Sequence, residues 1–240
     1  MIADVKSKIR DLLSDYKYKI ELHTHTSPAS SCSEIAPEEL VRIYKNLGYD
    51  AVAVTNHFPC DRFGVTSTED DIDRWLDDYN RAEAEGRRIG ITVLFGAEFR
   101  TAESDNDYLA YGIGRDDLLP ACQLLGKDVA AFCRRFKNDR NIFIQAHPFR
   151  NGITRADPAL LDGVETYNVH PHHNARVGLA AKYARENNLP AIAGTDFHHH
   201  GHEGLAAIMA RTLPKDSFEL AALLKSGDYY MTVGGDIVLT

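Results

Sequence analysis

The strongest constraint on this chain is where its short apolar runs stop. Residues 18–25, 50–57, 91–98, 108–113, 141–147, 163–167 and 190–196 each read as a strand bounded by polar or turn-forming residues. Five of these runs close on potential ligands. YKIELHTH ends in His23 and His25, DAVAVTNH in His57, ITVLFGAE in Glu98 and NIFIQAH in His147, while PAIAGTD ends in Asp196 with His198 just beyond. Stretches with helical periodicity lie between them, at residues 3–15, 37–47, 68–88, 121–137 and 174–187. Pro37 opens one helix and Gly48 closes it, and Thr68 with Asp71 forms a capping-box pattern. Strands alternating with helices predict parallel βα units. A further strand at 206–213, a helix at 217–224 and a strand at 229–233 would close or cap them. The expected architecture is an α/β barrel of TIM-like type, with residues 1–240 as one domain. In such a barrel the C-terminal strand ends share one face, so the histidines and carboxylates would meet there.

Composition narrows the possible partners. A net charge of −8 offers no basic face for nucleic acid. It remains compatible with a phosphorylated small molecule, because bound cations reverse the local potential. No run approaches the roughly 18 apolar residues of a membrane span, and the N-terminal region has no signal-peptide core. Cys32, Cys60, Cys122 and Cys133 form no CxxC pair, which suits a reducing cytoplasm.

The spacing within the motifs supports shared coordination. In HTH and DFH the polar residues are two apart, so an extended chain turns both to one side. Imidazoles with carboxylates and no thiolate suit zinc, iron or manganese.

These residues resemble the polymerase and histidinol phosphatase (PHP) domain family. The resemblance rests on ELHTHT (21–26), PEEL (37–40), TNH (55–57), GAE (96–98), AHP (146–148) and GTDFH (194–198), in that order. It implies a distorted (β/α)7 barrel, two or three divalent transition-metal ions and hydrolysis of phosphate esters. By position it implies that His23, His25, Glu98 and Asp196 hold a first ion. Glu98 would bridge to a second ion with His147, and His57 and His198 would hold a third. Two family positions depart from the pattern. One falls among residues 31–34, where Glu34 is the strong candidate ligand, and the other falls at Asp107.

Arg100 and Arg150 lie just past proposed ligands and could clamp phosphate oxygens. His172 and His173, with His170, follow the sixth strand and could line the pocket or donate a proton. Glu165 within that strand is placed to orient a ligand. His199, His200 and His202 read as a surface run. Cys32 and Cys60 show no base partner in the sequence, which argues against a cysteine nucleophile. The expected chemistry is attack by a hydroxide bridging two ions on a small phosphorylated metabolite, with Glu98 and Asp196 central to it. An amidohydrolase-like cleavage of a C–N or C–O bond and a noncatalytic metal-binding module remain alternatives.

Overall fold

The computed structural model describes residues 11, 13–58 and 67–238. The helix expected over 3–15 falls largely outside them, and Cys60 lies outside them entirely. The strands are β1 (Tyr18–Glu21), β2 (Ala51–Val54), β3 (Thr92–Phe95), β4 (Ala97–Arg100), β5 (Asp107–Tyr111), β6 (Ile142–Gln145), β7 (Gly163–Asn168), β8 (Ala191–Gly194), β9 (Ala206–Ala210), β10 (Tyr229–Val233) and β11 (Asp236–Val238). The helices are α1 (Pro37–Asn46), α2 (Glu69–Ile89), α3 (Arg115–Leu125), α4 (Val129–Phe136), α5 (Val177–Glu186) and α6 (Ser217–Ser226).

The strands form two sheets. One has the order β11-β10-β9-β1-β2-β3 and the other β4-β5-β6-β7-β8. The expected seven-stranded closed barrel is therefore corrected, since among the described residues no sheet closes on itself. Parallel pairing holds for β1–β2, β2–β3, β6–β7 and β7–β8. The pairs β4–β5 and β5–β6 are antiparallel, as are those of β9. One physical reason lies at Gly96, where the run at 91–98 breaks into β3 and β4. A Cβ there would sit 2.8 Å from the Tyr111 ring and 2.9 Å from Thr55 Cγ2, so the chain passes where only glycine fits.

The sheets meet at two isolated parallel bridges, Thr24↔Phe197 and His57↔Glu98. The first is made by His25 N to Phe197 O (3.0 Å) and Phe197 N to His23 O (3.2 Å). In the second, Glu98 N donates to Asn56 O (3.1 Å) and Phe58 N to Glu98 O (2.9 Å). Both seams run through the polar motifs, so the backbone pairing that joins the sheets also brings the candidate ligands together.

Local signals explain most of the helices. Thr68 and Asp71 form the reciprocal capping box on α2, and Gly90 ends that helix at φ 76°. The helix expected over 121–137 is two helices. It breaks after Leu125, and Asp128 starts α4 by accepting from Ala131 N at 2.6 Å. Apolar side chains fill three clusters around the sheets. One, with Leu22, Ile144 and Ile192, lies among strands of both sheets.

Candidate metal centre

Four candidate ligands converge at the end of β1. His23 Nε2 lies 3.0 Å from His25 Nε2 and 3.4 Å from both Glu98 Oε1 and Asp196 Oδ1. His25 Nε2 is 3.4 Å from Glu98 Oε2 and 3.4 Å from Asp196 Oδ1. All four residues are buried. Ligands about 2.0–2.2 Å from one tetrahedral ion stand about 3.3–3.6 Å apart, so these spacings suit a shared cation.

Hydrogen bonding decides which nitrogen faces the cluster. His23 Nδ1 lies 2.8 Å from Glu165 Oε1, a carboxylate that can only accept, so Nδ1 carries the proton. Around His25 the reasoning passes through a chain of side chains. Thr26 N donates to Asn56 Oδ1 (2.7 Å), which orients that amide. Ser30 Oγ then donates to Asn56 Oδ1 (3.0 Å), so Ser30 accepts from His25 Nδ1 at 3.2 Å. Asn56 Nδ2 donates to Thr26 Oγ1 (2.8 Å), whose hydroxyl donates to buried Asp78 (2.8 Å). In the neutral rings both Nε2 atoms thus present lone pairs to each other at 3.0 Å, an arrangement that a cation between them relieves. Both Glu98 oxygens, though buried, lack a hydrogen-bond partner among the described residues. The donor set and these orphaned atoms fit a metal ion.

Glu98 is the hub. Its Oε1 is also 3.3 Å from His147 Nε2, and its Oε2 is 2.8 Å from His57 Nδ1. Three groups could each hold an ion: His23, His25 and Asp196; His57, Glu98 and Asp107; and His25, His57 and His198. His57 thus falls with Glu98 and Asp107 as well as with His198. Two of the candidate ligand residues, His147 (φ 31°) and Asp196 (φ 54°), sit in the left-handed region, a local cost that the packed seams sustain.

The electrostatics follow from this crowding. Burial opposes the charged form of His23, but Glu165, Asp196 and Glu98 hold its pKa well above the usual histidine value. Glu98 likewise outweighs burial at His57. Burial, with His198 and His57 nearby, keeps His25 well below. Burial would raise Glu98 and Asp196, yet the surrounding imidazoles hold both well below the carboxylate range.

The remaining candidates divide. Arg100 makes a two-pronged pair with buried Asp107 at 2.7 and 2.9 Å. Arg150 reaches the same carboxylate at 3.2 Å and lies 3.5 Å from His147 Nε2. His173 Nδ1 is 3.6 Å from Asp196 Oδ2, whereas exposed His172 turns its ring toward His202 at 5.1 Å between centroids. Glu34 is not brought into the cluster: it is exposed, accepts from His200 N (3.1 Å) and faces His199.

Sequence reasoning missed Ser30, Asn56, Asn168 and Cys32. Asn168 Nδ2 donates to Glu165 Oε2 (3.0 Å) and Asp196 Oδ2 (3.1 Å). An irregularity between Glu165 and Tyr167 shifts the strand register, so residues three apart face one side and alternation could not reveal the pair. Cys32 does have imidazole partners. Burial would raise its thiol, but hydrogen bonding with His198 and His57 brings the pKa down to about 6. Cys122 is disulfide-bonded, while Cys32 and Cys133 are free. Cysteine usage therefore gives no ground for assigning a reducing compartment.

The PHP domain family model matches residues 21–222, a span that includes every one of these groups. The chain belongs to the PHP domain family. Over 92 residues it is 32% identical to a DNA polymerase III PolC-type protein of Oceanobacillus iheyensis, covering 38% of this chain but 5% of that protein. Among solved structures it resembles a two-domain Bacteroides vulgatus protein described as containing a predicted PHP-like metal-dependent phosphoesterase. The TM-score is 0.65 at 16% identity, over 92% of this chain and 66% of the other. It also resembles an amidohydrolase from Chromobacterium violaceum with bound sulfate and no metal. There the TM-score is 0.52 at 16% identity, over 77% and 89% of the two chains. At these identities the likenesses show the fold alone. No helix among the described residues is long and apolar enough to cross a membrane.

Proposed function

We propose that this PHP-family protein is a metal-dependent phosphoesterase acting on a small phosphorylated metabolite. The observation that carries the reading is the Glu98 carboxylate, buried with both oxygens orphaned and surrounded by His23, His25, His57 and His147 at 2.8–3.4 Å. His23, His25, Glu98 and Asp196 would hold one ion. Glu98 with His147 and Asp107 would serve a second, and His57 with His198 a third. Zinc, manganese or iron suits such donors. When bound, the ions supply an activated water and neutralise phosphoryl charge.

The chain's own groups do the rest. Arg100 and Arg150 converge on Asp107 beside the cluster, where their guanidinium groups would meet phosphate oxygens. His173, against Asp196 at the rim, is placed to give a proton to the departing oxygen.

The test is a screen of metal-reconstituted protein against phosphate mono-, di- and cyclic esters, with amides and lactones in parallel. Turnover of phosphate esters is expected. Cleavage of amides or lactones with no phosphate ester turned over would replace this reading with C–N or C–O hydrolysis.

A further inference from the structure

The acid that opens the ELHTHT motif is not a candidate ligand, yet it is fully buried and its carboxylate collects five hydrogen bonds. Glu21 Oε1 accepts from Leu22 N (3.0 Å), His23 N (3.0 Å) and Thr195 N (2.9 Å). Its Oε2 accepts from Thr195 Oγ1 and from Tyr44 OH (3.1 Å). One carboxylate at the end of β1 therefore grips His23 by its own backbone N–H, and grips the residue just before Asp196 by backbone and side chain. Tyr44, on α1, is the fifth donor and belongs to neither of those segments.

The two gripped segments follow strands of different sheets, β1 and β8. His23 Nε2 and Asp196 Oδ1 stand 3.4 Å apart across them, a separation that suits two ligands of one ion. Two features make that separation sensitive to the grip. Gly194 brings the end of β8 so near that a Cβ there would lie 2.6 Å from His23 Cβ. Asp196 holds φ 54°, a left-handed conformation that persists where the flanking residues are fixed. Phe197 N, bonded to His23 O at 3.2 Å, fixes the following side, and Thr195, bonded twice to Glu21, fixes the preceding one.

We propose that Glu21 is a positioning residue, which holds His23 and Asp196 at the spacing one cation needs without touching the cation or the substrate. This inference rests on the metal-dependent reading of the site. Glu21 acts through geometry, as an acceptor of N–H and O–H groups. A glutamine side chain can do the same, because its oxygen accepts from the three N–H groups while the hydroxyls of Thr195 and Tyr44 turn to accept from its NH2 group. Those two hydroxyls are a matched pair on one carboxylate oxygen. Thr195 leads to Asp196 and Tyr44 leads only into α1, so removing each in turn separates positioning from packing.

The experiment titrates the ion-free full chain with cobalt(II). It takes the affinity of each step by chelator competition and the d–d spectrum of each bound form, beside thermal melting without metal. Thr195→Val and Tyr44→Phe should both melt earlier than the parent, each having lost one bond to a buried carboxylate. Thr195→Val alone should weaken one cobalt step by about 10–100-fold, the range for groups that orient metal ligands, and shift its spectrum. Tyr44→Phe should bind cobalt as the parent does. Glu21→Ala should lose at least as much affinity as Thr195→Val, and Glu21→Gln should restore the parent's affinity and spectrum. Where Glu21→Ala fails to fold, the hydroxyl pair still decides. Equal cobalt affinities in Thr195→Val and Tyr44→Phe would overturn the inference and make Glu21 a support of the fold alone. A loss in Glu21→Gln as large as in Glu21→Ala would overturn it as well. These readouts need no substrate, so a parent that binds ions but cleaves no phosphate ester would overturn the phosphoesterase reading alone. A parent that binds no ion would overturn both.

Discussion

His23 Nδ1 and Glu165 Oε1 are held 2.8 Å apart, both fully buried, and this pair determines which nitrogen of His23 faces the ligand cluster. The same carboxylate accepts from His147 N (2.9 Å) and Asn168 Nδ2 (3.0 Å), so it positions two ligand segments at once. Glu165→Gln cannot satisfy this arrangement. If its oxygen faces His23, its NH2 group confronts two donors. If the NH2 group faces His23, the ring must carry its proton on Nε2, where an ion would bind. Metal affinity should fall by about 10–100-fold, as for other groups that orient metal ligands. Chelator competition at constant pH measures it, and unchanged affinity would mean that the pair only packs.

Ion binding should release protons. In the ion-free chain, nearby carboxylates hold His23 and His57 above the usual histidine range against the effect of burial. Contact with Cys32 and Asp196 does the same for His198. Protons therefore compete with the ion to higher pH than at free histidines, and affinity should rise with pH through those raised values. For stability of the ion-free fold the sign is the reverse. These charged pairs contribute fully below about 6.5 and fade as pH climbs through the folded-state values. Calorimetry in buffers of different ionisation enthalpy should show net proton release on metal addition near neutral pH. Enthalpies independent of the buffer would contradict this.

The arginines give a kinetic prediction. Arg150 sits 3.5 Å from His147 Nε2, while Arg100 is held by both nitrogens to Asp107, so Arg150 is the closer to the ligand ring. Arg150→Ala should lower kcat/KM for a phosphate ester by about tenfold or more, since a charge-assisted hydrogen bond is worth about 1.5–3 kcal/mol. Arg100→Ala should act more weakly, mainly by freeing Asp107. Inorganic phosphate should inhibit the parent better than Arg150→Ala. Parent-like kinetics in both variants would make the arginines structural.

Much of the candidate cluster was legible because a side chain that could hold an ion at a strand end leaves a local signature, an apolar run stopped by histidine or carboxylate. His23, His25, His57, Glu98, His147, Asp196 and His198 all carry that signature, and the structure brings them together. What stayed hidden depends on contacts distant in sequence. Asn56 and Ser30 set the His25 tautomer through a chain that ends on Asp78 in α2, and nothing local to TNH announces it. Gly194 admits the Glu165–His23 pair: a Cβ there would sit 2.6 Å from His23 Cβ and press on the Glu165 carboxylate. The split of the barrel into two sheets was equally invisible. Apolar runs report burial but not strand direction, and β5 runs antiparallel to both of its neighbours.

The central claim is that ions held at Glu98 drive phosphate-ester hydrolysis. Its most direct test is phosphate release by chelator-stripped protein as zinc, manganese or iron is returned stepwise, with bound ions counted at each step. The account predicts no turnover in the stripped protein and recovery that tracks bound ion in the parent, but not in Asp196→Asn. It is contradicted if the stripped protein is as active as the reloaded one, or if protein carrying two or more ions cleaves no phosphate ester.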